Sequence, residues 1–137
     1  MNDVVVGVDR SETARSAAHK AARLAEAYGA NLHLVTCAEP TASVSAGVGS
    51  DRFETDWVAE AEQFLKGLAY DLPYDRISWN VASGDPAKAI VEEAERVEAG
   101  TIVVGNVRTH GVSRVLGSVA TSVVKRAPCD VLVAHTT

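Results

Sequence analysis

The feature that most constrains this sequence is a pair of short runs that are apolar at every position instead of every second one. Val4-Val5-Val6-Gly7-Val8 is the first and Thr101-Ile102-Val103-Val104 the second. β-Branched residues favour strands, and a strand with two apolar faces must be covered on both. Such strands sit inside parallel sheets, which need long crossover connections, usually helices.

The rest of the chain alternates as that demands. From Glu12 to Tyr28 the pattern is helical, with Ala14, Ala17, Ala18, Ala21, Ala25 and Tyr28 on one face and Gly29 as terminator. The small alanine face predicts close packing on a sheet. Leu32 to Ala38 reads as a second strand, interrupted at His33 and Thr36. Thr41 to Ser50 is small, polar and glycine-bearing, and reads as a loop. A second helix carries the stripe Phe53, Trp57, Ala61, Phe64 and Leu68, closed by Pro73. Arg76 to Ala82 alternates as Ile77, Trp79, Val81, a third strand.

Gly84-Asp85-Pro86 opens a third helix, because proline suits the first helical position and Asp85 can cap. Its stripe is Ala87, Ile90, Val91, Ala94 and Val97, and Gly100 is the expected terminator. The fourth strand is Thr101 to Val104. Residues from about Leu116 to Arg126 form a fourth helix, and Asp130 to His135 a fifth strand. The expectation is one α/β domain over residues 1–137, an open five-stranded parallel sheet with helices on both faces and right-handed crossovers. A chain of this length buries enough surface to fold without disulfides or a structural metal.

Charge narrows the function classes. The formal net charge is -5, which argues against non-specific binding to nucleic acid or to anionic membranes. Yet from Gly105 to Arg126 there is no acidic residue, while Arg108, Arg114, Lys125 and Arg126 are basic and His110 can join them. An acidic chain with one acid-free basic segment suits a small anion. Cys37 and Cys129 lie in apolar runs without metal-ligand spacing, so they read as small buried hydrophobes, and no metal site is expected. No apolar stretch approaches membrane-spanning length, and the first residues carry no basic region, so a cytoplasmic location is expected.

Open parallel sheets bind ligands beyond the carboxyl ends of strands, where the strand order reverses. Two loops qualify by their residues. Asp9-Arg10-Ser11 follows strand 1, and Gly105 to Ser118 follows strand 4. In the longer loop, Gly105 leaves the strand, Gly111 sits in the middle, and Gly117-Ser118 opens the last helix. Glycines let backbone N–H groups converge on an anion, and a helix N-terminus adds its dipole. Neither Gly-x-x-x-x-Gly-Lys-Ser/Thr nor an early Gly-x-Gly-x-x-Gly is present, which excludes the two best-known phosphate loops. Asp9 has two readings: with Glu12 it can cap helix 1, or it can accept from a ribose hydroxyl.

Taken in order, several pieces resemble the universal stress protein family over nearly the whole chain. They are Val5-Val6-Gly7-Val8-Asp9-Arg10-Ser11, Leu34-Val35-Thr36-Cys37-Ala38-Glu39-Pro40, Gly84-Asp85-Pro86, Ile102-Val103-Val104-Gly105-Asn106, Leu116-Gly117-Ser118-Val119 and Ala127-Pro128-Cys129-Asp130-Val131-Leu132-Val133. The resemblance implies a Rossmann-like sheet of the adenine nucleotide alpha hydrolase type, in the order 3-2-1-4-5. It also implies a homodimer formed through the strand Val131 to His135.

ATP-binding relatives carry Gly-x-x-Gly, nine residues, then Gly-Ser/Thr. Gly105 and Gly117-Ser118 match the ends of that pattern. Arg108 stands where the second glycine belongs, the spacer is one residue shorter, and Ala120 replaces a common hydroxyl. An arginine at that place brings a guanidinium for phosphate, and Gly111 is placed to supply a turn. The resemblance thus gives Val8, Asp9, Cys37, Gly105, Asn106, Val107, Arg108, Gly111, Gly117, Ser118 and Val119 as nucleotide-binding residues.

The function implied is a dimeric stress-response module that binds ATP or ADP, with magnesium only as the nucleotide's counter-ion. The alternatives are a cyclic AMP-binding member, a slow ATPase, and an interaction module without nucleotide. No residue pair in the sequence suggests a general base with an orienting partner, so no catalytic residue is assigned. His110 is the titratable group inside the loop, and His19, His33 and His135 have no evident partners.

Overall fold

The computed structural model describes residues 2–9, 12–37, 50–105 and 117–135, the side chains of 12 and 50–56 excepted. The elements run β1 (Val4–Gly7), α1 (Glu12–Tyr28), β2 (Leu32–Cys37), α2 (Ser50–Asp71), β3 (Ile77–Ala82), α3 (Pro86–Val97), β4 (Thr101–Gly105), α4 (Ser118–Arg126) and β5 (Asp130–Ala134). All strand pairs are parallel, and the sheet order is β3-β2-β1-β4-β5. The chain builds outward from β1 through β2 to β3, then returns to β4 on the other side of β1. The order therefore reverses between β1 and β4.

The continuous apolar runs have a direct cause. Val4 and Val6 face one core, with Leu32, Leu34 and Val103 beneath the alanine face of α1 and beneath Leu65 and Leu68 of α2. Val5 faces the other core, with Val35, Ile102 and Val104 beneath Ala87, Ile90 and Ala94 of α3 and Val123 of α4. Period-2 side chains on a strand covered twice must be apolar at every position.

The alanine face packs as expected, since Ala17, Ala18, Ala21 and Ala25 are fully buried, but Tyr28 at its end is half exposed. Helix α1 stops at Gly29 (φ 65°), where Ala30 N–H donates to Ala25 O at 2.9 Å and Gly29 N–H to Glu26 O at 3.1 Å. That is the paired closure of a left-handed helix end. Helix α3 ends the same way, but not at the glycine. Glu98 (φ 53°) takes the left-handed position, with Ala99 N–H donating to Ala94 O at 2.9 Å. Gly100 instead begins the approach to β4, its N–H donating to Asp3 O. The start of α3 is as read: the Asp85 carboxylate accepts from Lys88 N–H and Pro86 opens the helix.

Two further expectations need correction. Ser50 belongs to α2, and 41–49 lie outside the described residues, as does the Phe53 side chain. Trp79 is 40% exposed although Ile77 and Val81 pack on the core. It lies on β3, which among the described residues is an edge strand of the sheet. Among the described residues no helix is long and apolar enough to cross a membrane.

Candidate functional site

The carboxyl ends of β1, β2 and β4 open onto one cavity of about 430 Å³, within the usual range for small-molecule sites. It lies at the reversal of strand order. Val8, Asp9, Cys37, Gly105, Gly117, Ser118 and Val119 all line it. Asn106, Val107, Arg108 and Gly111 lie outside the described residues.

Each lining residue has a structural reason for its place. Val8 continues β1 by donating its N–H to Val35 O at 2.9 Å, and it is buried. Asp9, one residue on, is exposed at the cavity rim. Helix α1 begins at Glu12, three residues beyond Asp9. Cys37 and Gly105 are the last residues of β2 and β4. Both cysteines are half-buried. Burial and the neighbouring Asp130 push the Cys129 thiol up, in keeping with an inert hydrophobe.

Helix α4 meets the cavity with its N-terminus. Its capping residue is Gly117, which makes no side-chain hydrogen bond to the helix. The Gly117 carbonyl accepts from Thr121 N–H at 2.8 Å, the first bond of the helix. The N–H groups of Ser118, Val119 and Ala120 then have no intrahelical partner, and all three residues line the cavity. The first turn has no acidic residue, and the basic residues Lys125 and Arg126 sit in the last turn. The positive end of the helix dipole therefore faces the cavity. Gly117 has φ -68° and ψ 164°, an ordinary extended conformation. Its value at this place is the missing side chain, not backbone freedom.

Sequence reasoning missed the wall contributed by α1 and α3. Thr13 and Ala14 from α1, and Pro86 and Ile90 from α3, also line the cavity. Gly7 explains how Ile90 comes so near. A Cβ on Gly7 would stand 2.3 Å from Ile90 Cδ1 and 2.9 Å from its Cγ1. The absence of a side chain lets the isoleucine seat against the end of β1. The Gly84-Asp85-Pro86 start of α3 was the signal available, but nothing in it points at β1. Three helix N-termini, those of α1, α3 and α4, thus border one cavity.

Fold and cavity together define an open, doubly wound α/β domain with a ligand-sized cleft where the strand order reverses. The sequence model of the universal stress protein family matches residues 1–135. The chain belongs to the universal stress protein family. A universal stress protein of Mycobacterium tuberculosis is 31% identical over 143 residues, spanning 98% of this chain and 96% of that one. A putative universal stress protein of Staphylococcus epidermidis is 31% identical over 140 residues, spanning 98% of this chain and 84% of that one. A universal stress protein structure solved in complex with cAMP is 33% identical, covers 99% of this chain and 98% of that one, and has a TM-score of 0.68. The fold also matches a universal stress protein of Lactobacillus plantarum, at 24% identity and TM-score 0.78, over 98% of this chain and 97% of that one.

Proposed function

We propose that this protein binds an adenine nucleotide in the cavity between the β1 and β4 ends, with the phosphate on the N-terminus of α4. One observation carries the reading. A helix whose capping residue has no side chain presents its unpaired N–H groups to a ligand-sized cavity at the strand-order reversal. In this reading Asp9, at the cavity rim, accepts from ribose hydroxyls, and Val8 and Cys37, which also line the cavity, meet the base. Arg108, outside the described residues, is assigned to the phosphate. ATP or ADP, with magnesium only as counter-ion, is the first reading of the ligand.

A second reading, cyclic AMP, has two observations in its favour. Ala120 is buried in the cavity wall where ATP-binding relatives carry a hydroxyl, so one phosphate contact is missing. The relative solved with cAMP is also 33% identical to this chain.

The functional unit proposed is a homodimer joined through β5. Supporting this, β5 is a sheet edge, and Leu132 on it is 42% exposed.

Isothermal titration with ATP, ADP and cyclic AMP tests the proposal. Saturable heat is expected with at least one of the three, and the second reading expects cyclic AMP to bind at least as tightly as ATP. No heat with any of them overturns nucleotide binding. ATP binding tighter than cyclic AMP removes the second reading and leaves the first.

A further inference from the structure

At the opposite end of the sheet, three side chains far apart in sequence form one hydrogen-bonded chain. Asp3 precedes β1, His33 is the second residue of β2, and Ser78 is the second residue of β3. His33 Nε2 lies 2.9 Å from Asp3 Oδ2, and His33 Nδ1 lies 2.7 Å from Ser78 Oγ. The parallel register places His33 beside both Val5 and Ser78. The three side chains therefore project from the same sheet face at adjacent strand ends.

The order of partners fixes the roles. Asp3 also accepts from Asn31 N–H at 3.1 Å and from Asn31 Nδ2 at 3.5 Å. Burial alone would raise its pKa, but the hydrogen bonds from His33 and Asn31 outweigh that and hold it below the ordinary carboxylate value. An ionised Asp3 is only an acceptor, so in the neutral imidazole Nε2 carries the proton. The Nδ1 lone pair then faces the Ser78 hydroxyl. The imidazole and the carboxylate are largely covered, with 11% and 21% of their side-chain surfaces exposed, whereas Ser78 is exposed. A covered, oriented base beside an accessible hydroxyl is the arrangement that activates a serine. The two ring nitrogens simply exchange their more familiar roles.

We propose that Ser78, His33 and Asp3 form a nucleophilic site that is acylated by small activated carboxylic esters, separate from the nucleotide cavity. Ser78 Oγ attacks the ester carbonyl carbon while its proton passes to His33 Nδ1. The carbonyl reforms, the C–O bond to the leaving group breaks, and the departing alkoxide takes the proton from Nδ1. The products are acyl-Ser78 and an alcohol. Water attacks the acyl group by the same proton route, releasing the carboxylic acid and restoring the hydroxyl. No redox co-reactant is needed.

The test uses the full chain with 4-nitrophenyl acetate, following phenolate release and locating the acetyl group by peptide mass spectrometry. With excess ester and an acid quench, acetyl on Ser78 is expected, absent in Ser78→Ala. Asp3→Asn keeps the chain's shape but turns an amide N–H toward Nε2, which moves the imidazole proton to Nδ1. Ser78 acetylation is therefore expected to slow about 100-fold in that variant and in His33→Gln. Thermal melts of each variant confirm that it is folded. Acetyl groups on other residues with none on Ser78 overturn the proposal. So does Ser78 acetylation that runs at the parent rate in a folded Asp3→Asn or His33→Gln protein.

Discussion

The two ends of this sheet solve the same problem in opposite ways. At the amino end, polar groups meet other side chains. Asp3, Asn31, His33 and Ser78 are linked, while Arg76 donates to Gly29 O at 2.6 Å and to Asn31 Oδ1 at 3.2 Å. Tyr74 adds a hydrogen bond to Ala30 O. The turn after α1 is thereby tied to the entry of β3. At the carboxyl end, Gly7, Gly105 and Gly117 bring no side chains, and a cavity remains. At one end the polar side chains bond one another, and at the other the first N–H groups of α4 face a cavity. A polar group held inside a fold must be satisfied somewhere. The contrast is between an open cavity lined by helix N–H groups and a hydrogen-bonded chain that ends in the exposed Ser78 hydroxyl.

The comparison breaks most visibly at Gly117. Its φ and ψ suit a β-branched residue, so Gly117→Val is expected to fold while its side chain crowds the α4 N–H groups. Nucleotide affinity is expected to fall about 100-fold or more, roughly 2.7 kcal/mol, by calorimetry. A parent-like affinity in that variant would remove α4 from the site.

Gly7 offers the next largest effect. Gly7→Ala puts a methyl against Ile90, and overpacking of this kind costs about 1–3 kcal/mol in denaturant unfolding. Adding Ile90→Val, which removes Cδ1, is expected to recover part of the loss. Equal losses in the single and double variants would show that the contact is not the cause.

At the closed end, acid is the probe. The folded pKa of Asp3 is lowered, so its contribution is fully present above the unfolded value near 3.8 and is lost as pH falls through the folded value. Asp3→Asn is expected to flatten the decline of stability with acid in that window. An unchanged pH slope would separate Asp3 from the amino-end network.

The smallest effect belongs to neither end's chemistry. Glu98→Gly relieves a left-handed backbone and is expected to stabilise the protein by roughly 1 kcal/mol. It should leave nucleotide binding unchanged, and a change in affinity would couple the α3 terminus to the cavity.

What was legible in the sequence follows the same division. The strands, helices and parallel sheet showed because apolar periodicity is local, and β1 and β4 advertise burial on both faces. The order β3-β2-β1-β4-β5 came from family resemblance, since periodicity does not state which strands are neighbours. Asp9, Gly105 and Gly117 were nameable because loops after strands carry ligands in such folds. Ile90 was not, because its role depends on the empty space beside Gly7, and an absent atom leaves no pattern. His33 was passed over for a similar reason. Its partners are 30 and 45 residues away, and only the register of three strands brings them together. Gly100 looked like a helix terminator by composition, yet Glu98 takes the left-handed position and Gly100 N–H donates to Asp3 O at the entry of β4.

The proposed nucleotide site lies at the open end of the sheet. Backbone amide NMR of the full chain, titrated with cyclic AMP and with ATP, tests it most directly. Saturable shifts are expected at Val8, Gly105, Gly117 and Ser118, while Asp3, His33 and Ser78 stay in place. No shifts with either nucleotide, or shifts centred on the closed end, would contradict it.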